Sequence, residues 1–227
     1  MFNTSFALFL YFSFSFALVG TVYKVWRAFR PQHSFPRPLT PSPLTQWGML
    51  WTLSHEILGF RSLLRADKFL WLCAWLFHVS LLLIAFRHLR YFTYPVWSWI
   101  VAVQNLGIWA GWVFLASSLL LLLRRCVLPR VRYISMPSDY SLLILIIFIS
   151  SSGLLTRLIY HTDIVQLKIF ILSLSQFQPT TFPTTDIVIV LHIISAGILL
   201  ILFPFSKLWH GIGLFFHPTR TQIDKVR

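Results

Sequence analysis

A chain of 227 residues that is 57% hydrophobic and 11% charged, with a mean hydropathy of +0.74, has too few charges for a soluble domain of its size and reads as a membrane protein. Nineteen Lys and Arg against six Asp and Glu give a formal net charge of +13, which suits a nucleic-acid binder only until the charges are placed along the chain. Two cysteines without a CxxC or CxxCH pattern argue against a self-contained iron–sulfur cluster and against a covalently attached c-type haem.

The first hydrophobic run, "SFALFLYFSFSFALVGTVY" at 5–23, lacks a basic leader, is long for a signal-peptide core and has no small-x-small cleavage site. It is expected to be a retained transmembrane helix. The connection 24–68 follows, opening with "RPQHSFPRPLTPSP", too proline-rich to be helical. Its second part, "LTQWGMLWTLSHEILGFRSLLRADK", predicts an amphipathic surface helix. Further spans are predicted at 69–88, 97–123, 140–156 and 187–206, each close to the roughly 20 apolar residues that cross a bilayer. The fourth is the shortest and needs flanking residues. Gly107 and Gly111 form a GxxxG pair in the third span, a pattern that suits close helix packing. Between the last two spans, "DIVQLKIFILSLSQF" is too short and interrupted to cross, so the segment 163–178 is expected to lie flat at the interface. There is no internal repeat. The fold class expected is an all-α integral membrane protein, a single five-helix domain over 1–227.

Lys and Arg are lopsided about these spans. Segment 24–68 carries Lys24, Arg27, Arg30, Arg37, Arg61, Arg65 and Lys68; segment 124–139 carries Arg124, Arg125, Arg130 and Arg132; the tail carries Lys207, Arg220, Lys225 and Arg227. The other side has only Arg87, Arg90, Arg157 and Lys168, so all nineteen divide as 15 against 4. The positive-inside rule then puts the N-terminus outside and the C-terminus in the cytoplasm. Basicity arranged in this way needs no nucleic acid. It can also hold anionic membrane lipid or a soluble subunit.

Of eight histidines, His78 and His88 fall in or at the edge of the second span, and His192 and His210 in or at the edge of the fifth. Histidine inside a membrane is costly and signals function, an interhelical hydrogen bond being the plain alternative. Ten positions along a helix advance about 15 Å and turn about 80° in azimuth. Eighteen positions are five turns, so an unbroken helix would put His192 and His210 on one face about 27 Å apart, less if Pro204 kinks it. The orientation makes the second and fifth spans antiparallel, which matches His88 with His192 in depth and His78 with His210. Two imidazoles per level suit a haem, flat and apolar, ligated on both iron faces. Ala196 and Gly197, beside His192, are expected to leave room for such a ring. A zinc or copper site would need three or four ligands converging at one depth, often with carboxylate or thiolate. A proton-relay transporter would need carboxylates that the span interiors lack.

The motifs "FPFSKLWH" at 203–210, "LLLLRRCVLPRVR" ending at Arg132 with Asp139 beyond it, and "FHVSLLLIAFRH" at 77–88 resemble the cytochrome b subunit of respiratory nitrate reductase, its gamma subunit, over about 69–215. Both histidine spacings match that family. The resemblance implies five helices and two haem b groups, the inner held by His78 and His210 and the outer by His88 and His192. It also implies quinol oxidation near the outer haem, with electrons passing to the inner haem and on to a cytoplasmic iron–sulfur subunit. The chain would then be the quinone-reactive, electron-transferring part of a multi-subunit oxidoreductase in the cytoplasmic membrane, with no terminal substrate chemistry of its own. The family's quinol-site lysine between spans two and three has no counterpart here, since no lysine lies between Arg90 and Arg124. The longer 24–68 loop, "FRSLLRADKFLW" and "RHLRYF" are more similar to the DsrM-type subunit of the sulfite-reductase-associated membrane complex, whose partner is an iron–sulfur protein related to heterodisulfide reductase. A gamma subunit of nitrate reductase is the alternative within the family. A haem-free membrane anchor or small transporter is the alternative outside it.

His161, Asp163 and Lys168, together on the outer side, are candidates for contacting a quinone head group or relaying its protons, against a plain reading as a solvated loop. His55 and Glu56 are expected to face a partner rather than a cofactor. His33 and His217 are expected at the surface. Ten Trp, many near span ends, fit an aromatic belt.

Overall fold

A computed structural model describes residues 2–30, 45–182 and 186–216. His33, Arg37, most of the proline-rich run, His217, Arg220, Lys225 and Arg227 lie outside the described residues.

The first helix, α1, runs Phe2–Phe29. The amphipathic stretch after the proline-rich run is two helices rather than one, α2 (Gln46–Gly59) and α3 (Arg61–Ala66). Thr45 caps the start of α2 by accepting from the Gly48 N–H at 3.1 Å. Phe60, at φ 47°, breaks the run in the left-handed conformation usual for a helix end. Glu56 reaches across the break to accept from the Ser62 hydroxyl at 2.6 Å, so this carboxylate holds the joint.

The second span is α4 (Lys68–His88), continued by a tight turn at Leu89–Tyr91. The third begins later than its hydrophobicity suggests. A short helix, α5 (Ser98–Ala102), comes first, and the spanning helix α6 is Gln104–Val127. After α7 (Pro129–Ile134), the fourth span α8 covers Pro137–Leu158, so the short apolar run does recruit its flanks. Pro137 occupies the first turn of α8, where its missing N–H costs nothing, and Asp139 accepts from the Met136 N–H at 3.1 Å. The segment expected at the interface forms α9 (Ile164–Ser175), capped by Asp163, and the fifth span α10 is Ile187–Leu202. Beyond it come tight turns at Phe203–Phe205 and Lys207–Trp209 and a one-turn helix, α11 (His210–Gly213).

Among the described residues five helices are long and apolar enough to cross a membrane: α1, α4 with its turn, α6, α8, and α10 with its first turn. Their surfaces carry large apolar side chains that a water-soluble protein would hide, Trp109 at 72% and Ile144 at 55% exposure among them. Serines inside the spans return their hydroxyls to their own helix, Ser80 to the Leu76 carbonyl and Ser118 to that of Phe114. These hydroxyls are thus satisfied without water.

The chain divides into two compact units, one of residues 1–14 and 73–200, the other of 15–72 and 201–227. In the first, α6 packs along α8, and Phe6, Leu167, Phe170, Phe182, Ile189 and Val190 form a buried cluster. Segment α9 therefore does more than float at an interface: Leu167, Phe170 and Ser173, at helical spacing, are buried, while Val165 and Ile169 stay exposed. Gly197 lets α1 close in, since a Cβ there would meet Phe9 Cε1 at 2.6 Å. The room expected beside His192 for a macrocycle is, at this glycine, taken by a phenylalanine of α1. In the second unit, a Cβ at Gly20 would strike the buried Pro204 ring at 2.7 Å.

Candidate cofactor site

His88 closes α4 and His192 lies on the second turn of α10, and the fold brings these two rings together. Their centres are 6.4 Å apart and their planes differ by 18°. Metal–imidazole bonds are about 2 Å long and a ring nitrogen lies about 1 Å from its ring centre, so imidazoles on opposite sides of one ion have centres about 6 Å apart. The observed spacing leaves room for one ion between the two rings.

The hydrogen bonds supply the second requirement. His88 Nδ1 is 2.7 Å from the Ile84 carbonyl one turn back. His192 Nδ1 is 3.0 Å from the Ile149 carbonyl and 3.1 Å from Ser152 Oγ, both on α8. A carbonyl only accepts, so each Nδ1 carries the proton and each Nε2 is left with a lone pair, the state a metal ligand needs. His78 and His210 share this tautomer, with Nδ1 at 2.6 Å from the Ala74 carbonyl and 2.7 Å from that of Lys207. So do His55 and His161, on Trp51 and Ile159. The tautomer alone therefore does not mark a ligand; tautomer and ring spacing together single out His88 and His192. Among the described residues no three of His, Cys, Asp and Glu converge, so this pair offers a two-imidazole site. On both counts the residues fit a haem held from two faces.

His78 lies in the first unit, half-buried, with the Phe77 ring 5.2 Å away edge-on. His210 lies in the second, at the start of α11, and is exposed. The five-turn argument that set His210 on the face of His192 does not hold. Regular helix stops at Leu202, because Pro204 ends it instead of merely bending it.

The quinone candidates are not assembled into one group. Asp163 Oδ1 accepts from the Val165 and Gln166 N–H groups, which makes it the cap of α9. His161 adopts φ 47° in an exposed turn, and Lys168 Nζ lies 5.3 Å from the centre of the Tyr94 ring. Lys168 stands on α9, which packs against the turn Leu89–Tyr91 that follows His88. Two further cations sit there: Arg87 donates to the Gln104 carbonyl at 3.0 Å and Arg90 to the Gln104 side chain at 3.0 Å. A Cβ at Gly107 would meet Arg87 Cδ at 2.7 Å, so that glycine admits an arginine stem. At the other end of α8, Arg125 pairs with the buried Asp139 at 3.4 Å. Ser152 and Gly153 went unsuspected in the sequence; the one available signal was the run "SSSG" at 150–153 inside an otherwise apolar span.

Residues 45–222 match the nitrate reductase gamma subunit family. Two curated relatives carry the same name, Hdr-like menaquinol oxidoreductase cytochrome b-like subunit. The one from Archaeoglobus fulgidus is 36% identical over 212 residues, covering 82% of this chain and 64% of its own length. The one from Archaeoglobus profundus is 30% identical over 265 residues, covering 96% of this chain and 78% of its own length. The chain thus spans just under two thirds of the first relative.

Proposed function

From the premise that this chain belongs to the nitrate reductase gamma subunit family, we propose that it is a dihaem cytochrome b that passes electrons between membrane quinol and a cytoplasmic iron–sulfur subunit. The observation that carries the reading is the His88–His192 pair, two rings 6.4 Å apart, each protonated on the nitrogen turned to a carbonyl. Bound there, haem b supplies a one-electron carrier whose potential follows its axial ligands and surroundings.

The residues around it divide the remaining work. His88 and His192 hold the outer group; His78 and His210 hold the inner one, a pairing that rests on matched depth in antiparallel spans and on the family's spacings. Arg87 and Arg90 put positive charge next to the outer pair, where carboxylates of a macrocycle or a developing anion would be favoured. Lys168 is the proton or head-group contact best placed for a quinol, with His161 and Asp163 further removed by their local bonds. Arg124, Arg125, Arg130 and Arg132 present the basic face that anchors the chain against lipid and receives a soluble partner. Both relatives are named as subunits of an Hdr-like menaquinol oxidoreductase, which supports the branch whose partner is related to heterodisulfide reductase over a nitrate-reducing complex.

Purified protein should contain two haems per chain, with the low-spin signal of two imidazole ligands. Protein that is folded and colourless would leave the haem-free anchor or transporter standing in its place. Which soluble subunit co-purifies then decides the branch, an iron–sulfur protein being the expected one.

A further inference from the structure

The imidazole of His192 is held by a helix that carries neither ligand of its pair. Its Nδ1 lies 3.0 Å from the Ile149 carbonyl and 3.1 Å from Ser152 Oγ, partners 43 and 40 residues away in sequence. Ser152 is buried at 4% exposure, and its own proton is engaged by its helix, at 2.8 Å from the Phe148 carbonyl and 3.0 Å from that of Ile149. With that proton spent, a lone pair of Ser152 Oγ faces the imidazole N–H, which divides between two acceptors. One residue on, Gly153 removes the side chain that would block this approach. A Cβ there would stand 2.9 Å from His192 Cε1 and 3.4 Å from Nδ1.

We propose that Ser152 and Gly153 are positioning residues for the outer haem ligand, Ser152 setting the electron-donating strength of His192 and Gly153 setting where its ring stands. The inference rests on the dihaem reading above and adds to it a third helix, α8. A hydrogen bond accepted from Nδ1–H pushes electron density toward Nε2, and a more basic ligand favours the oxidised iron. Ser152 therefore lowers the outer potential. The Ile149 carbonyl, a backbone group, keeps the tautomer when the serine is replaced, so the ring stays a ligand.

The experiment is a redox titration of the full chain in its membrane complex, followed by the visible haem bands. His88→Ala identifies the outer wave by removing it. Ser152→Ala should then move that wave to higher potential and leave the inner wave in place, with both haems still bound. Ser152→Thr, which keeps the hydroxyl, should return it to the original value. Gly153→Ala, a change that favours helix, should abolish or distort the same wave while the helical circular dichroism is retained. The proposal is overturned if Ser152→Ala moves neither wave, moves both equally, or moves the one that survives His88→Ala. Wild-type protein with no haem defeats the underlying dihaem reading, whereas two normal haems indifferent to residues 152 and 153 defeat this inference alone.

Discussion

The two pairs of histidines are supported in different ways. In the pair proposed for the outer haem, His88 and His192 stand on regular helix with rings 6.4 Å apart; His88 bonds a carbonyl of its own turn, and His192 takes its orientation from α8, some 40 residues away. In the pair proposed for the inner haem, His78 and His210 each bond a carbonyl within four residues of themselves, and His210 follows two tight turns at the start of a one-turn helix. A side chain oriented from a second helix, as His192 is from α8, is pre-organised by the fold as well as by its own turn. His192 should therefore tolerate local change in its own helix better than His88, whose Nδ1 bonds the Ile84 carbonyl one turn back.

The sharpest way to break this comparison is to delete the ligands one at a time. His88→Ala and His192→Ala should each cost the same haem, halving the pigment per chain, and His78→Ala and His210→Ala should each cost the other. Haem content and the surviving redox wave make the assignment. A grouping of His88 with His78 would mean that ligands share a helix rather than a level, and the paired reading would fall.

Next in size is Pro204→Ala. Pro204 is fully buried and lies two residues beyond Leu202, the last residue of α10. Alanine restores a donor and permits the helix to run on, which would rotate His210 away from its present place. The inner wave should shift or disappear while the outer remains. If the outer wave moves and the inner does not, the local support assigned to His210 is wrong.

These contrasts also show what could be read from residues alone. Five spans were legible because about 20 apolar residues in a row have few other uses, and the short fourth run extended through its flanks as length demands. The four histidines stood out because imidazole inside a membrane is costly, and the structure brings the rings of two of them, His88 and His192, to 6.4 Å. Less could be read wherever one residue type has two local outcomes. Proline at 204 was expected to bend a helix and instead ends it. The stretch 97–123 looks continuous, yet α5 stops at Ala102 without a Pro or Gly to announce it. Gly197, expected to accommodate a macrocycle, accommodates Phe9. Ser152 was invisible for a different reason: three successive serines look alike in sequence, and only the packing of α8 on α10 decides which one meets His192.

A smaller effect is expected at the inner end of α8. Asp139, at 5% exposure, accepts from the Met136 N–H and pairs with Arg125, which is 30% exposed. Asp139→Asn keeps the shape and an acceptor but removes the charge from a buried ion pair, so a loss of about 1–3 kcal/mol in stability follows. A lower melting temperature in detergent with both haem potentials unchanged would separate the foot of α8, which is structural, from its middle, which tunes a ligand. A changed outer potential would show that α8 transmits strain along its length and would blur that distinction.

The smallest effects should come from the outer loop. Lys168 lies over Tyr94 on a helix that packs against the turn after His88, whereas His161 spends its Nδ1 on the Ile159 carbonyl in an exposed turn. If quinol is oxidised near the outer pair, Lys168→Ala should slow quinol-driven haem reduction a few-fold, chiefly by raising the quinol concentration needed, because a head-group contact contributes to binding before it contributes to chemistry. His161→Gln should change the same rate less than that, since a solvated side chain engaged locally has little to offer a substrate in the membrane. The order of the two is what matters. A His161→Gln variant that keeps both haems at their normal potentials yet loses quinol oxidation would move the proton-accepting group from α9 to the turn before it, and the outer region would have to be redrawn around His161.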